Sequence, residues 1–225
     1  MKNNRFILLA AIILLSISHT AYTQSECTRM THYGSIELCL PSIEGMKECY
    51  LRPNVKALAD HFEDDRNLVL AYYVNDSTFL QADRLAEIKY DDYFKIYANK
   101  GLGDVTIEAK DLQSVYSEMS ASLTIDNWQS LKEGIEEKLD DLQVGVPQLI
   151  EEFEVSDKSK SMTLIINYII EGEMNPVAMS ISILVIKERL LFVAYYLGFK
   201  DEETFELIKL KSKQIIERIE AMNLE

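Results

Sequence analysis

The chain has few of the residues and motifs on which the common enzyme families depend. Beyond His19 near the N-terminus it contains only His32 and His61, which leaves little histidine for acid–base catalysis or metal binding. It has no Gly-x-Ser-x-Gly elbow, no His-Glu-x-x-His helix, no phosphate-binding Gly-x-x-x-x-Gly-Lys loop and no calcium loop. We therefore expect no cofactor, and a non-enzymatic role is favoured over an enzymatic one.

Two arrangements of carboxylates are the candidates for a metal site or for catalysis. His61 stands close to Asp64 and Asp65 at a helical spacing that would seat a metal, but such clusters are common at solvated, acidic helix ends, and we expect that ordinary role and no metal. Glu171 and Glu173 flank Gly172 and are the first pair to test for carboxylate catalysis. Solvation of a turn explains that pair more simply.

Positive charge is also scarce. The chain has 23 Lys and Arg against 37 Asp and Glu, a formal net charge of −14, which becomes −16 if Lys2 and Arg5 are removed with a leader. Nucleic acids and anionic membranes are bound through positive surfaces. The sequence therefore predicts no nucleic-acid binding.

The first apolar run is too short to cross a membrane. It covers 12 residues, 6–17, whereas a spanning helix needs roughly 20. Lys2 and Arg5 precede the run and Ala21-Tyr22-Thr23 follows it, which is typical of a signal peptide. We predict a signal peptide over residues 1–23, cleavage before Gln24, no membrane span afterwards, and export to the periplasm or beyond. Residues 24–225 have the length of a single α+β domain.

Only three cysteines are present, so one disulfide would leave one thiol over. A hairpin of residues 36–40 and 46–51 around Glu44 would place Cys39 opposite Cys49, and this pairing is predicted. Cys27 is the alternative partner, and three free thiols are the remaining alternative. No neighbouring motif suggests that any of the three is an activated, catalytic thiol.

Apolar patterning is strongest in the last third of the chain. Residues 162–170, 177–186 and 190–197 are rich in Ile, Val, Tyr and Phe and are joined by short polar connections, which predicts three consecutive antiparallel strands. After them, Phe205, Ile208, Ile215, Ile219 and Met222 form one helical stripe. The sequence thus predicts an antiparallel sheet with a C-terminal helix packed on it.

Earlier segments give the rest of the expected α+β order. We expect strands at 33–40, 68–74 and 93–98, a short helix after Pro53, helices over 108–123 and 126–142, and a hairpin from 149–155 into Met162. Tyrosines alternate between the faces of the predicted strands, and they either line a groove for a ligand or are covered by helices. Coverage is the favoured interpretation for Tyr72, Tyr73, Tyr93, Tyr97, Tyr168, Tyr195 and Tyr196.

The two ends of the chain resemble a known family. The segment from Tyr33 to the Leu40-Pro41 step, and the segment from Leu191 through Asp201 to Phe205, look like the corresponding parts of the PsbP-type domain. That fold is shared with the Ran-binding Mog protein and with exported bacterial proteins of unknown role. The resemblance implies an antiparallel sheet sandwiched between helices and a function through protein contacts, and it assigns no site residue.

These observations predict an exported accessory or interaction module whose partner is another envelope or secreted protein. A carboxylate-based hydrolase or carbohydrate-active enzyme is the alternative. A small-ligand binder with a tyrosine-lined pocket is the third possibility.

Overall fold

The computed structural model describes residues 27–81, 91–123, 128, 132, 133, 136, 142–170 and 172–224. The predicted signal peptide and most of the predicted helix 126–142 lie outside these residues.

Ten strands and four α-helices make up the described fold. The strands are β1 (Cys27–Tyr33), β2 (Ile36–Pro41), β3 (Met46–Glu48), β4 (Asn67–Asn75), β5 (Asp92–Asn99), β6 (Leu142–Val144), β7 (Gln148–Phe153), β8 (Ser159–Ile170), β9 (Glu173–Ile186) and β10 (Arg189–Gly198). The helices are α1 (Pro53–Phe62), α2 (Asp76–Phe79), α3 (Leu112–Ser122) and α4 (Glu203–Met222). Short 3-10 turns occupy Lys100–Leu102 and Ala109–Asp111.

The main sheet is antiparallel and has eight strands in the order β3-β4-β5-β10-β9-β8-β6, with β7 also paired to β8. β1 and β2 form a separate hairpin. Short connections join β8, β9 and β10, so each strand lies beside its neighbour in the chain. The predicted run of three consecutive antiparallel strands is confirmed.

Helices cover both faces of the main sheet. The front face packs against α4 and the β1–β2 hairpin, with Phe94 and Val193 of the sheet meeting Ile208 and Ile215 of the helix in one core. The back face packs against α3, where Leu112 lies in one core with residues of β8, β9 and β10, and against α1 near β4. The fold is α+β, as predicted, with the C-terminal helix packed on the sheet.

Strand β9 shows how both faces become buried. Its bulky residues, such as Met179 and Ile183, lie on the back face beneath α3. Its small front-face residues Ser180 and Ser182 are each 1% exposed, and the Ser182 hydroxyl lies 2.8 Å from that of Ser161. Because these side chains are small, α4 can lie close to the sheet.

The predicted hairpin between residues 36–40 and 46–51 is wrong. β2 pairs with β1 through a two-residue turn in which Gly34 has φ of +55°, a conformation that glycine adopts without steric cost. After Pro41 a turn closed by the Met46 amide and the Ile43 carbonyl, 3.1 Å apart, directs β3 to the edge of β4. The two segments therefore belong to different sheets.

The disulfide consequently differs from the predicted Cys39–Cys49 pair. Cys39 of β2 is bonded to Cys27 of β1, with the two Cα atoms 5.4 Å apart. Cys49 is a buried free cysteine in the core beneath α1, with Tyr72 and Val55. Because β2 lies over the front face while Cys49 is packed on the back, the sheet separates the two sulfur atoms.

Candidate functional site

The structure gives the His61 cluster an ordinary structural role. Arg66 donates to Asp64 from Nε at 2.9 Å and from Nη2 at 2.8 Å, so the carboxylate is engaged by a cation. The His61 ring packs edge-on against Phe62, with centroids 5.0 Å apart. Across the part of the chain that the structure describes, no group of three His, Cys, Asp or Glu side chains is placed to hold a metal ion.

Of the predicted carboxylate pair, the structure describes Glu173 alone. Glu173 opens β9 and is exposed, and it pairs in register with Ile170. Glu171 lies outside the described residues. The pair therefore stays a prediction.

The tyrosines divide between the two faces of the sheet. Tyr73 and Tyr195 lie on the front face around Phe94, in the core shared with α4. On the back face, Tyr72, Tyr93 and Tyr196 form a ladder across β4, β5 and β10, with successive ring centroids 5.4 and 4.7 Å apart. Their rings stack on one another, so the ladder stabilises the pairing of three strands.

The Tyr196 and Tyr97 phenols on the back face are neutral at ordinary pH. Burial raises the pKa of Tyr196 well above its usual value, and nearby Tyr168, Tyr97 and Glu63 raise it further. Burial also raises the pKa of Tyr97, as does the charge of Glu63, which forms an ion pair with Lys95. Neutral phenols donate and accept hydrogen bonds but are poor nucleophiles and bases at neutral pH.

Strand β7 is an exposed edge with apolar side chains. It pairs only with β8, and no described strand lies along its other side. Leu149 and Ile150 are 52% and 42% exposed, and Val146 just before the strand is 43% exposed. An edge of this kind presents unpaired backbone N–H and C=O groups beside apolar surface, which is a template for a further strand.

A cavity of about 110 Å³ lies next to the beginning of β7, on the back face. Its lining is mainly apolar and comes from three places in the chain. The residues are Ser120 and Leu123 at the end of α3, Pro147 and Leu149 at the start of β7, and Met162 and Leu164 of β8. Because Leu149 is half exposed, the cavity borders the open edge.

A bulge in β7 places a carboxylate on the same face as this cavity. Leu149 pairs with Leu164 and Glu152 pairs with Met162, with the register shifted between Leu149 and Glu151. Leu149 and Glu152 therefore lie on one face although they are three residues apart, because the extra residue of the bulge, Ile150, shifts the alternation. We call the exposed edge of β7, the cavity and Glu152 together the edge site.

The charges on the two faces of β7 differ in their pairing. On the front face, Glu151 forms an ion pair with Lys209 of α4, and Phe153 lies beneath Lys213 with 5.7 Å between the ammonium and the ring centroid. On the back face, the Tyr116 pKa is raised first by burial and then by a hydrogen bond to Glu152. Glu152 is exposed and remains accessible to a cation from solvent.

Sequence reasoning predicted the strand but not the site. The apolar alternation and the turn after it indicated a hairpin from residue 149 into Met162, which is confirmed as β7–β8. The cavity joins residues 120, 147 and 164, which only the tertiary fold brings together. The one available signal was Val146, Leu149 and Ile150, three bulky apolar residues close together beside an acidic run.

Comparison with known proteins gives no family and only weak structural similarity. No family model matches the chain, and a search of the curated proteins finds no match. Among solved structures, the Saccharomyces cerevisiae Ran-binding protein Mog1p is similar at 9% identity, over 86% of this chain and 93% of that one, with a TM-score of 0.40. Cyanobacterial PsbP from Synechocystis sp. PCC 6803 is similar at 9% identity, over 86% and 92%, with a TM-score of 0.37. The resemblance noted in the sequence names the same two kinds of protein.

A search of the described helices for one long and apolar enough to span a bilayer finds none.

Proposed function

We propose that this chain is an exported, non-enzymatic accessory protein that binds another envelope or secreted protein through the edge site. The observation that carries the proposal is the open, apolar edge of β7. Folded proteins generally protect such edges with charges, bulges or covering elements, because an unprotected edge pairs with other chains. β7 carries charges and a bulge, but its apolar residues Leu149 and Ile150 remain exposed. A partner that adds a strand to the sheet would pair with the exposed backbone groups of this edge.

Two features support a binding role over a catalytic one. The Tyr196 and Tyr97 phenols are held neutral by burial, so they suit packing and hydrogen bonding better than proton transfer or attack on a substrate. The Lys95–Glu63 ion pair beside them satisfies its own charges. The edge site consists of a strand edge, an aliphatic cavity and an exposed carboxylate. These groups can bind a partner without catalysing a reaction.

Export is supported by independent features of the sequence and the fold. The first 23 residues have the pattern of a signal peptide. The Cys27–Cys39 disulfide suits an oxidising compartment, where such bonds persist. The acidic balance disfavours nucleic acids and anionic membranes as targets.

The test is capture of partners with matched variants. Tagged protein covering residues 24–225 is incubated with envelope extract from the source organism, as wild type, as Ile150→Lys and as Leu210→Lys. Both substitutions place a charge at an exposed apolar position, since Leu210 is 55% exposed on α4, but only the first alters the β7 edge. We expect a partner that wild type and Leu210→Lys retain and that Ile150→Lys loses.

Retention of the same proteins by all three forms would overturn the proposal. So would hydrolytic turnover that is abolished by Glu171→Gln or Glu173→Gln, because that result would establish the carboxylate enzyme instead.

A further inference from the structure

The size of the cavity beside β7 indicates the kind of side chain that it accepts. At about 110 Å³ it is smaller than an apolar cavity of about 150 Å³, which holds one benzene molecule. Five of its six lining residues are apolar, and Met162 and Leu164 at its base are almost fully buried. An aliphatic side chain of the size of valine or leucine suits this space better than an aromatic ring.

The bulge sets the spacing between this side chain and a second contact. On β8 the partners of Leu149 and Glu152 are Leu164 and Met162, which are two residues apart. A regular strand added outside β7 follows the same two-residue alternation as β8. A side chain that reaches the cavity therefore stands two residues from one that reaches Glu152.

The charges around β7 select the partner. Glu151, Glu152 and Glu154 stand within four residues, and two of them are neutralised by Lys209 and Lys160 of this chain. Glu152 has no such cation among the described residues. Pairing of β7 with β7 of a second copy would place these acidic segments side by side, so like charge disfavours a homodimer at this edge.

We infer that the edge site, on the basis of the binding role proposed above, recognises an extended polypeptide segment with an aliphatic residue and a lysine or arginine two positions apart. The aliphatic side chain enters the cavity, the basic side chain pairs with Glu152, and the backbone adds to the open side of β7. Main-chain hydrogen bonds supply the general affinity, and the two side chains supply the selectivity.

The probes are synthetic nine-residue peptides in a serine and threonine background, labelled with a fluorophore. One pair carries leucine and lysine two positions apart, in both orders, and a control pair carries them three positions apart, which directs them to opposite faces of a strand. Fluorescence anisotropy gives the Kd for the protein covering residues 24–225. The protein variants are Ser120→Leu, which fills the cavity, Ser114→Leu, which is the same change at an exposed position of α3, and Glu152→Gln.

We expect tighter binding of at least one two-spaced peptide than of either three-spaced peptide. Ser120→Leu should weaken that binding at least tenfold and Ser114→Leu should leave it unchanged. Glu152→Gln should weaken binding at low salt and reduce its dependence on ionic strength. The inference is overturned if no peptide binds, if the spacing has no effect, or if Ser120→Leu and Ser114→Leu behave alike.

The two proposals fail in different ways. If Ile150→Lys abolishes partner capture while Ser120→Leu has no effect on capture or on peptide binding, the edge is the binding surface and the recognition rule is wrong. If spaced peptides bind the cavity but Ile150→Lys retains every captured partner, the proposed function is wrong instead.

Discussion

At the scale of single residues, the free thiol of Cys49 illustrates how burial controls chemistry. Burial raises its pKa to about 12, with a further contribution from the charge of Glu48. The Cys49 sulfur lies 3.4 Å from the Tyr72 carbonyl oxygen, so the thiol is held as a weak hydrogen-bond donor. The thiolate is the reactive form, and almost none exists in the folded protein at pH 8.

Native protein at pH 8 should therefore resist iodoacetamide. Intact mass should show no label in the folded state, one label after denaturation without reductant, and three after denaturation with reductant, if residues 24–225 are intact. A Leu51→Cys variant, at a position 63% exposed, provides the positive control and should be labelled while folded. Rapid labelling of the native wild type would show that Cys49 is accessible.

Glu220 of α4 gives a prediction about pH. Partial burial raises its pKa above the ordinary 4.5, with opposing contributions from the Ser156 hydroxyl and Lys158 and supporting ones from Asp157 and Glu217. The folded state therefore binds this proton more strongly than the unfolded state. The stabilising contribution is present below pH 4.5 and is lost as the pH rises through the folded-state pKa.

Glu220→Gln should consequently remove part of the fall in stability above pH 4.5 and should be at least as stable as wild type at pH 7. Denaturant unfolding between pH 4 and 7 measures this change. Glu206→Gln, at an exposed position near the other end of the same helix, is the control and should leave the pH profile close to that of wild type. A wild-type profile that is unaltered by Glu220→Gln would contradict the assignment.

At the scale of elements, the turn between β9 and β10 is strained. Lys187 and Glu188 have φ of +46° and +59°, in the left-handed region that ordinary side chains disfavour, and they connect Ile186 to its pair Arg189. Two-residue hairpins with this geometry prefer Asn-Gly. The cost of the left-handed conformation is roughly 1–2 kcal/mol per residue.

The double substitution Lys187→Asn with Glu188→Gly should therefore stabilise the protein by about 1 kcal/mol, or raise the thermal midpoint by about 2–4 °C. The gain in stability is smaller than the strain energy of the two residues, because glycine increases the conformational entropy of the unfolded chain. Glu188→Val should act in the opposite direction, since a β-branched residue is least suited to this conformation. Calorimetry of the three proteins provides the measurement.

Elements also show what the sequence can and cannot predict. β9, β10 and α4 were predictable because each has a regular apolar pattern that its buried face explains. β1 was missed because only Tyr33 of its seven residues is buried, so it has no apolar alternation to detect. Without β1, the sequence offered Cys39 only Cys49 as a hairpin partner, and the predicted disulfide followed from that error.

At the scale of the whole molecule, Asn223 joins the two ends of the described fold. Its Oδ1 accepts from the Cys39 amide at 2.8 Å, and its Nδ2 donates to the carbonyl oxygens of Cys39 at 2.9 Å and Ile219 at 2.8 Å. Asn223 is 5% exposed, so these groups have little access to water. The hairpin over the front face is thereby fixed to the end of the last helix.

Asn223→Ala should lower the free energy of unfolding by about 2 kcal/mol, because buried backbone groups of Cys39 lose their partners. Denaturant unfolding measures the loss. Leu224→Ala, next to it and 73% exposed, should change stability little. Equal effects of the two substitutions would show that the chain end contributes through general packing and not through these hydrogen bonds.

The same connection between Asn223 and Cys39 bears on biogenesis. A nascent polypeptide emerges from its amino end, so the β1–β2 segment is synthesised long before the final turn that completes its hydrogen bonding. Contacts between residues so distant in sequence form slowly, because a long loop must close first. While residue 223 is still to be synthesised, the Cys39 amide and carbonyl lack these partners, so the hairpin is fixed to the last helix only late in folding.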